Sequence, residues 1–220
     1  MCGRFTLTVD PAELQDAFAG FHFPTQFAPR FNIAPSQPLL AIPNNGSKQA
    51  EFFLWGLIPT WAKDPSIRSR LINARAETLA EKPSFHGAFK YHRCLILADG
   101  FYEWKALPGQ KSKVPHYMFL KSRRPFAFAG LWTDWQGPDG SQFKTCTIIT
   151  TQSNELVAPI HNRMPVILPP DSYIQWLDSK PAPNLQRLLI PYPTEEMDAH
   201  PVSTLVNSPA NDRAECVVPV

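Results

Sequence analysis

Apolar residues in this chain recur in short runs punctuated by Gly, Pro and Asn, a pattern of strands and fixed turns with little helical periodicity. Pro38 to Pro43 and Glu51 to Leu57 predict two strands joined by the turn Asn44-Asn45-Gly46-Ser47. Cys94-Leu95-Ile96-Leu97 and Phe101 to Lys105 predict two more, with Asp99-Gly100 between them as a hairpin turn. Tyr117 to Leu120, Phe126 to Trp132 and Cys146 to Thr151 follow, the last two joined at Gly137-Pro138-Asp139-Gly140. Val166-Ile167-Leu168 and the stretch from Cys216 to Val218 are the final strand-like runs. Helical signals are brief. Asp10-Pro11-Ala12-Glu13 combines an N-cap, a first-turn Pro and a Glu three residues on, and Leu14, Phe18 and Gly20 complete a short amphipathic helix. A helical turn is predicted from Ala74 to Leu79, and helices from Asp171 to Leu177 and Asn184 to Leu189. Phe31 to Pro35 reads as extended or irregular, and Thr60 to Pro65 as a loop. Strands in the middle with short helices between or outside them predict an α+β fold with a β-rich, largely antiparallel core. No repeat, low-complexity tract or linker interrupts it, so a single domain over residues 1–220 is expected.

Composition narrows the function classes. At 220 residues the chain can enclose one sizeable core, and 24 prolines argue for short elements against a helical bundle. With 21 basic and 19 acidic residues, a nucleic-acid partner would have to be held by a local patch. The cysteines at 2, 94, 146 and 216 form no C-x-x-C pair, so neither a disulfide framework nor a metal site is expected, and no cofactor motif appears. Cys94 and Cys146 sit in apolar runs and read as buried. With no secretory leader or membrane-length apolar stretch, a soluble cytoplasmic protein is expected, monomeric by default.

Candidate chemistry begins at Met1-Cys2-Gly3-Arg4. A small second residue directs removal of the initiator Met, which would leave Cys2 with an α-amine and a thiol on adjacent carbons. Such a 1,2-aminothiol condenses with an aldehyde to an imine and then closes a thiazolidine. The reference pKa values, about 7.7–8.0 and 8.5, leave both groups reactive near neutrality. Glu103, flanked by aromatics in Phe101-Tyr102-Glu103-Trp104, is either on a solvated strand face or in an apolar pocket that raises its pKa. His161, at the mouth of a strand, is a proton shuttle or a structural residue. Asn73 either orients a reactive group or caps a helix, and Arg75 beside it could hold an anion. Arg4, Arg30, Arg68, Arg70 and Arg75 share segments with Trp55 and Trp61, a mixture suited to single-stranded nucleic acid. A Cys-dependent peptidase is the rival from another class, and a non-catalytic single-strand binding module the second.

Taken together, these segments resemble the SRAP (SOS-response-associated peptidase) family. The matching stretches are Cys2-Gly3-Arg4-Phe5, Phe31-Asn32-Ile33-Ala34-Pro35, Trp55-Gly56-Leu57-Ile58-Pro59, Ile72-Asn73-Ala74-Arg75-Ala76-Glu77-Thr78, Ala98-Asp99-Gly100-Phe101-Tyr102-Glu103-Trp104, His161-Asn162-Arg163-Met164-Pro165 and His200-Pro201-Val202-Ser203. They occur in family order over nearly the whole chain. The resemblance implies covalent capture of the ring-opened abasic site in single-stranded DNA by the N-terminal Cys, which shields the lesion at replication forks. It assigns catalysis to Cys2, Asn73, Glu103 and His161, and DNA binding to Arg4, Asn32, Trp61, Arg75 and Thr150. A lyase step on the captured sugar and thiol-dependent self-processing are further activities it suggests. Ala62 stands where many members carry a second Trp beside the first, so one stacking platform fewer is expected.

Overall fold

The computed structural model describes residues 2–109, 112–180 and 184–220. In chain order the elements are strand β1 (Phe5–Leu7), helix α1 (Pro11–Ala17) and strands β2 (Arg30–Ile33), β3 (Pro38–Pro43), β4 (Glu51–Trp55) and β5 (Asn73–Arg75). Helix α2 (His86–Tyr91) precedes β6 (Arg93–Ala98), β7 (Gly100–Ala106), β8 (Lys113–Leu120), β9 (Phe126–Gln136) and β10 (Gln142–Gln152). The chain finishes through β11 (Arg163–Pro165), β12 (Ile167–Leu168), helix α3 (Tyr173–Leu177) and β13 (Met197–Pro201), with 3-10 turns between.

Two sheets result. One has the order β13-β8-β7-β1-β2; the other runs β11-β10-β4-β3-β6-β9-β12. The second closes on itself, because β9 pairs with β10 as well as with β6. Ring closure leaves β10, β4, β3, β6 and β9 without open edges. Beyond Ile148 and Gly130, the last matched pair, β10 and β9 part; β11 fills the gap on β10 and β12 on β9. Every residue of β6 is buried, as expected of a strand covered on both faces. Phe5 and Phe101 of the open sheet pack edge-on against Phe128 of the barrel, so the two sheets share one core.

The local signals hold where they are self-contained. Asp10 caps α1 by accepting from Glu13 N, and the Glu13 side chain accepts from Asp10 N, the reciprocal box its spacing implies. β3 and β4 pair across the Asn44–Ser47 turn, and β9 and β10 across Gly137–Gly140.

Three expectations are corrected. Asp99-Gly100 is not a hairpin turn: β6 pairs with β3 and β9, whereas β7 pairs with β1 and β8, so the chain changes sheets there. The reason is distant in sequence. The Asp99 carboxylate accepts from the Thr6 and Thr8 hydroxyls and from the Thr8 amide at 2.6 Å, which fastens the junction to β1. Residues 73–75 form a strand parallel to Ile148–Thr150 of β10, and helical bonding begins only at Leu79 N to Arg75 O. Ala214–Cys216 is a 3-10 turn, not a strand.

Candidate active site

β1 carries the start of the chain to the end of β7. Phe5 is opposite Phe101, and Tyr102 N donates to Arg4 O at 3.0 Å, so continuing the register sets Gly3 against Glu103. Cys2 is fully buried. Burial pushes its thiol well above the ordinary range, and the negative charge of Glu103 adds to that, which marks Glu103 as its neighbour. From the barrel side, Asn73 at the head of β5 donates Nδ2 to the Cys2 carbonyl at 2.8 Å. Its Oδ1 is buried without a hydrogen-bond partner among the described residues. Asn73 therefore sits in a strand beside Cys2 and caps no helix.

Glu103 is only 3% exposed, which decides between its two readings in favour of the pocket. Period-2 alternation turns Tyr102 into the separate cluster with Tyr117 and Phe119, and Glu103 to the core face with Phe101. Burial raises its carboxyl to about 7, against a smaller opposing effect from the Lys113 cation. His161, part-buried just ahead of β11, has its pKa lowered, mainly by desolvation and also by Lys113. Its Nδ1 accepts the Arg163 backbone N–H at 3.0 Å, which places the proton of the neutral ring on Nε2. The Arg163 carbonyl, 3.2 Å from the same nitrogen, works the other way and favours protonation. Glu103 and His161 both feel the charge of Lys113.

The expected DNA-binding residues divide. Arg75 is exposed and lies opposite Thr150 in the β5–β10 register; Trp61 is 58% exposed, with Nε1 donating to Pro83 O at 3.3 Å. Thr150 is fully buried, and its hydroxyl accepts from Arg163 Nη2 at 3.2 Å. Arg4 is half-buried against the C-terminal segment, and Asn32 is fully buried with its amide on the carbonyls of Val206, Ser208 and Asn211. Two members of the arginine–aromatic set are also engaged internally. Trp55 is fully buried with Nε1 on Ile72 O, so it offers no stacking face, and Arg30 is paired with Asp212.

Sequence reasoning overlooked three charged groups that pair with, or act on, these segments. Arg163 holds Glu77 through two bonds of 2.8 and 3.0 Å and also donates to Thr150 O at 2.5 Å. The pair joins the Asn73 segment to the His161 segment. Both partners lie inside quoted motifs, but only the fold shows that they meet. Lys113 carried no signal at all.

A closed barrel and an open sheet thus share one core, and just ahead of β1 a buried cysteine has its carbonyl held by the Asn73 amide. The chain belongs to the SOS response associated peptidase (SRAP) family, whose model matches residues 1–209. It is 49% identical over 225 residues to abasic site processing protein YoqW of Bacillus subtilis (strain 168), covering 99% of each chain. It is 33% identical over 264 residues to abasic site processing protein HMCES of Gallus gallus, covering 100% of this chain and 78% of that one. A crystal structure of a Bacteroides thetaiotaomicron protein superposes with a TM-score of 0.88 at 26% identity, covering 100% of both.

Proposed function

We propose that this protein processes abasic sites in single-stranded DNA by capturing the ring-opened sugar covalently on Cys2, once Met1, which lies outside the described residues, has been removed. The observation that carries the reading is the setting of Cys2: its carbonyl is held by Asn73 while a carboxyl near pKa 7 stands beside its thiol. Asn73 Oδ1, buried and without a partner among the described residues, is suited to accept from the α-amine that processing would expose.

The steps follow from those groups. The neutral amine adds to the C1′ aldehyde, and loss of water gives an imine. Sγ then bonds to C1′ as the thiol proton passes to nitrogen, so aldehyde and aminothiol yield thiazolidine and one water. Burial keeps the thiol protonated, so sulfur enters second, when the imine carbon is electrophilic. A carboxyl at about 7 is present in both forms near neutrality. It can donate to the departing oxygen and accept from the thiol, the pairing of roles general acid–base catalysis needs. His161 Nε2–H supplies a donor for the sugar oxygen during ring opening. Exposed Arg75 is the phosphate contact this reading favours, and Trp61 the stacking surface.

Intact mass spectrometry after mixing with an abasic oligonucleotide tests the proposal. The expected product is the chain without Met1 plus the oligonucleotide, less one water, and Cys2→Ala should give none. An adduct that persists in Cys2→Ala, or cleavage of peptides with no adduct at all, would refute it.

A further inference from the structure

The residue two places after the nucleophile donates to three acceptors inside the protein. Arg4 Nη1 donates to Asn32 Oδ1 at 2.8 Å and to Val206 O at 2.5 Å, and Nη2 donates to Asn207 O at 3.1 Å. The guanidinium also lies 5.9 Å from the Trp104 ring centroid, and Trp104 Nε1 donates to Asn207 Oδ1 at 2.7 Å. The segment they reach, residues 203–216, is itself anchored on β2. Asp212 accepts from Phe31 N and Asn32 N at 2.5 and 3.0 Å and pairs with Arg30. At the other end of β1, Thr6 and Thr8 are fastened by Asp99.

We infer that Arg4 is a positioning residue for the nucleophile: it clamps the first strand to the C-terminal segment and so fixes Cys2 between Asn73 and Glu103. This role differs from the phosphate contact the family resemblance suggests for Arg4. The inference rests on the covalent reading above only for its kinetic test. Its geometry is specific to a planar fork. One guanidinium satisfies a side-chain oxygen and two main-chain carbonyls in fixed directions, whereas a lysine ammonium supplies the charge without the fork. The backbone between Arg4 and Cys2 is short. A lapse of the clamp therefore moves the amine and thiol relative to Glu103, and a displacement near 1 Å costs about a hundredfold in rate.

The test separates positioning from phosphate binding. In Arg4→Lys and Arg4→Gln, the first-order rate of adduct formation at saturating abasic oligonucleotide should fall about tenfold to a hundredfold. The affinity for undamaged single-stranded DNA, and its dependence on salt, should stay as in the wild type. Should Arg4 grip a phosphate, Arg4→Gln would weaken that affinity, the log–log salt slope would drop by about 0.7, and Lys would restore both; that result overturns the inference. So does an unchanged adduct rate in both variants. Trp104→Phe removes the bond to Asn207 while keeping an aromatic ring under Arg4, and it decides the matter if the Arg4 variants do not fold. Slowed capture with unchanged DNA affinity supports the clamp, and a wild-type rate refutes it. A wild-type protein that forms no adduct defeats the covalent reading but leaves the clamp testable, because alkylation of Cys2 reports its placement directly. Faster alkylation in Arg4→Lys than in wild type supports the clamp; an equal rate refutes it.

Discussion

Replacing Glu103 by Gln separates two consequences of one buried carboxyl. Raising it from the ordinary 4.5 to about 7 corresponds to about 3 kcal/mol of preference for the neutral form. Below pH 4.5 the group is protonated in both folded and unfolded chains, and its neutral form carries no penalty. Between 4.5 and 7 only the folded chain keeps the proton, so unfolding releases it and stability declines as pH rises. Above 7 the full difference, about 3 kcal/mol, has been lost. Glutamine is neutral throughout. Urea unfolding should therefore find Glu103→Gln more stable than wild type at pH 8, by up to about 3 kcal/mol, with the gap vanishing near pH 4. Activity should move in the opposite direction. Loss of a general acid–base costs about a hundredfold to ten-thousandfold, and the variant should also lose the inflection near pH 7 in the rate of adduct formation. What is left is the limb from the amine, at about 7.7–8.0. A variant that keeps both the wild-type rate and the inflection near 7 would refute the assignment of Glu103. Equal stabilities at pH 8 would refute the burial argument independently.

Three further predictions follow from named contacts. Asn73→Ala removes the bond to the Cys2 carbonyl and should slow adduct formation about tenfold to a hundredfold, with affinity for undamaged DNA unchanged in a filter-binding assay. Asp99→Asn replaces a carboxylate that accepts from Thr6 and Thr8; calorimetry should show a loss of about 2–3 kcal/mol, or about 4–12 °C in Tm. Glu77→Gln removes the charge partner of Arg163, whose side chain is only 13% exposed, so urea denaturation should show a loss of about 1–3 kcal/mol.

Legibility from sequence tracked how far each determinant lies along the chain. Helix α1 was readable because its capping box spans only Asp10 to Glu13. The β9–β10 hairpin was readable because its turn residues are adjacent. The sheet change at Asp99 was not, since Asp-Gly means a tight turn until Thr6 and Thr8, more than ninety residues away, claim the carboxylate. β5 is three residues whose strand character comes entirely from pairing with β10. The same division runs through the site. Cys2, Asn73, Glu103 and His161 stood out because each is a reactive type in an unusual local setting, and the structure brings Asn73 and Glu103 to Cys2. The engagement of Arg4 with Val206 and the pairing of Glu77 with Arg163 join segments 202 and 86 residues apart, and no local pattern announces either.

The complete burial of Cys2 bears on how long such a reagent can survive in a cell. Peroxide and alkylating electrophiles attack the thiolate, and they need access to it. A sulfur kept protonated and out of water presents neither, so on the proposed reading the capturing thiol is shielded from casual oxidation. If capture proceeds as proposed, an aldehyde must be brought to Cys2 to react, and selectivity for its carrier then comes as much from exclusion as from attraction.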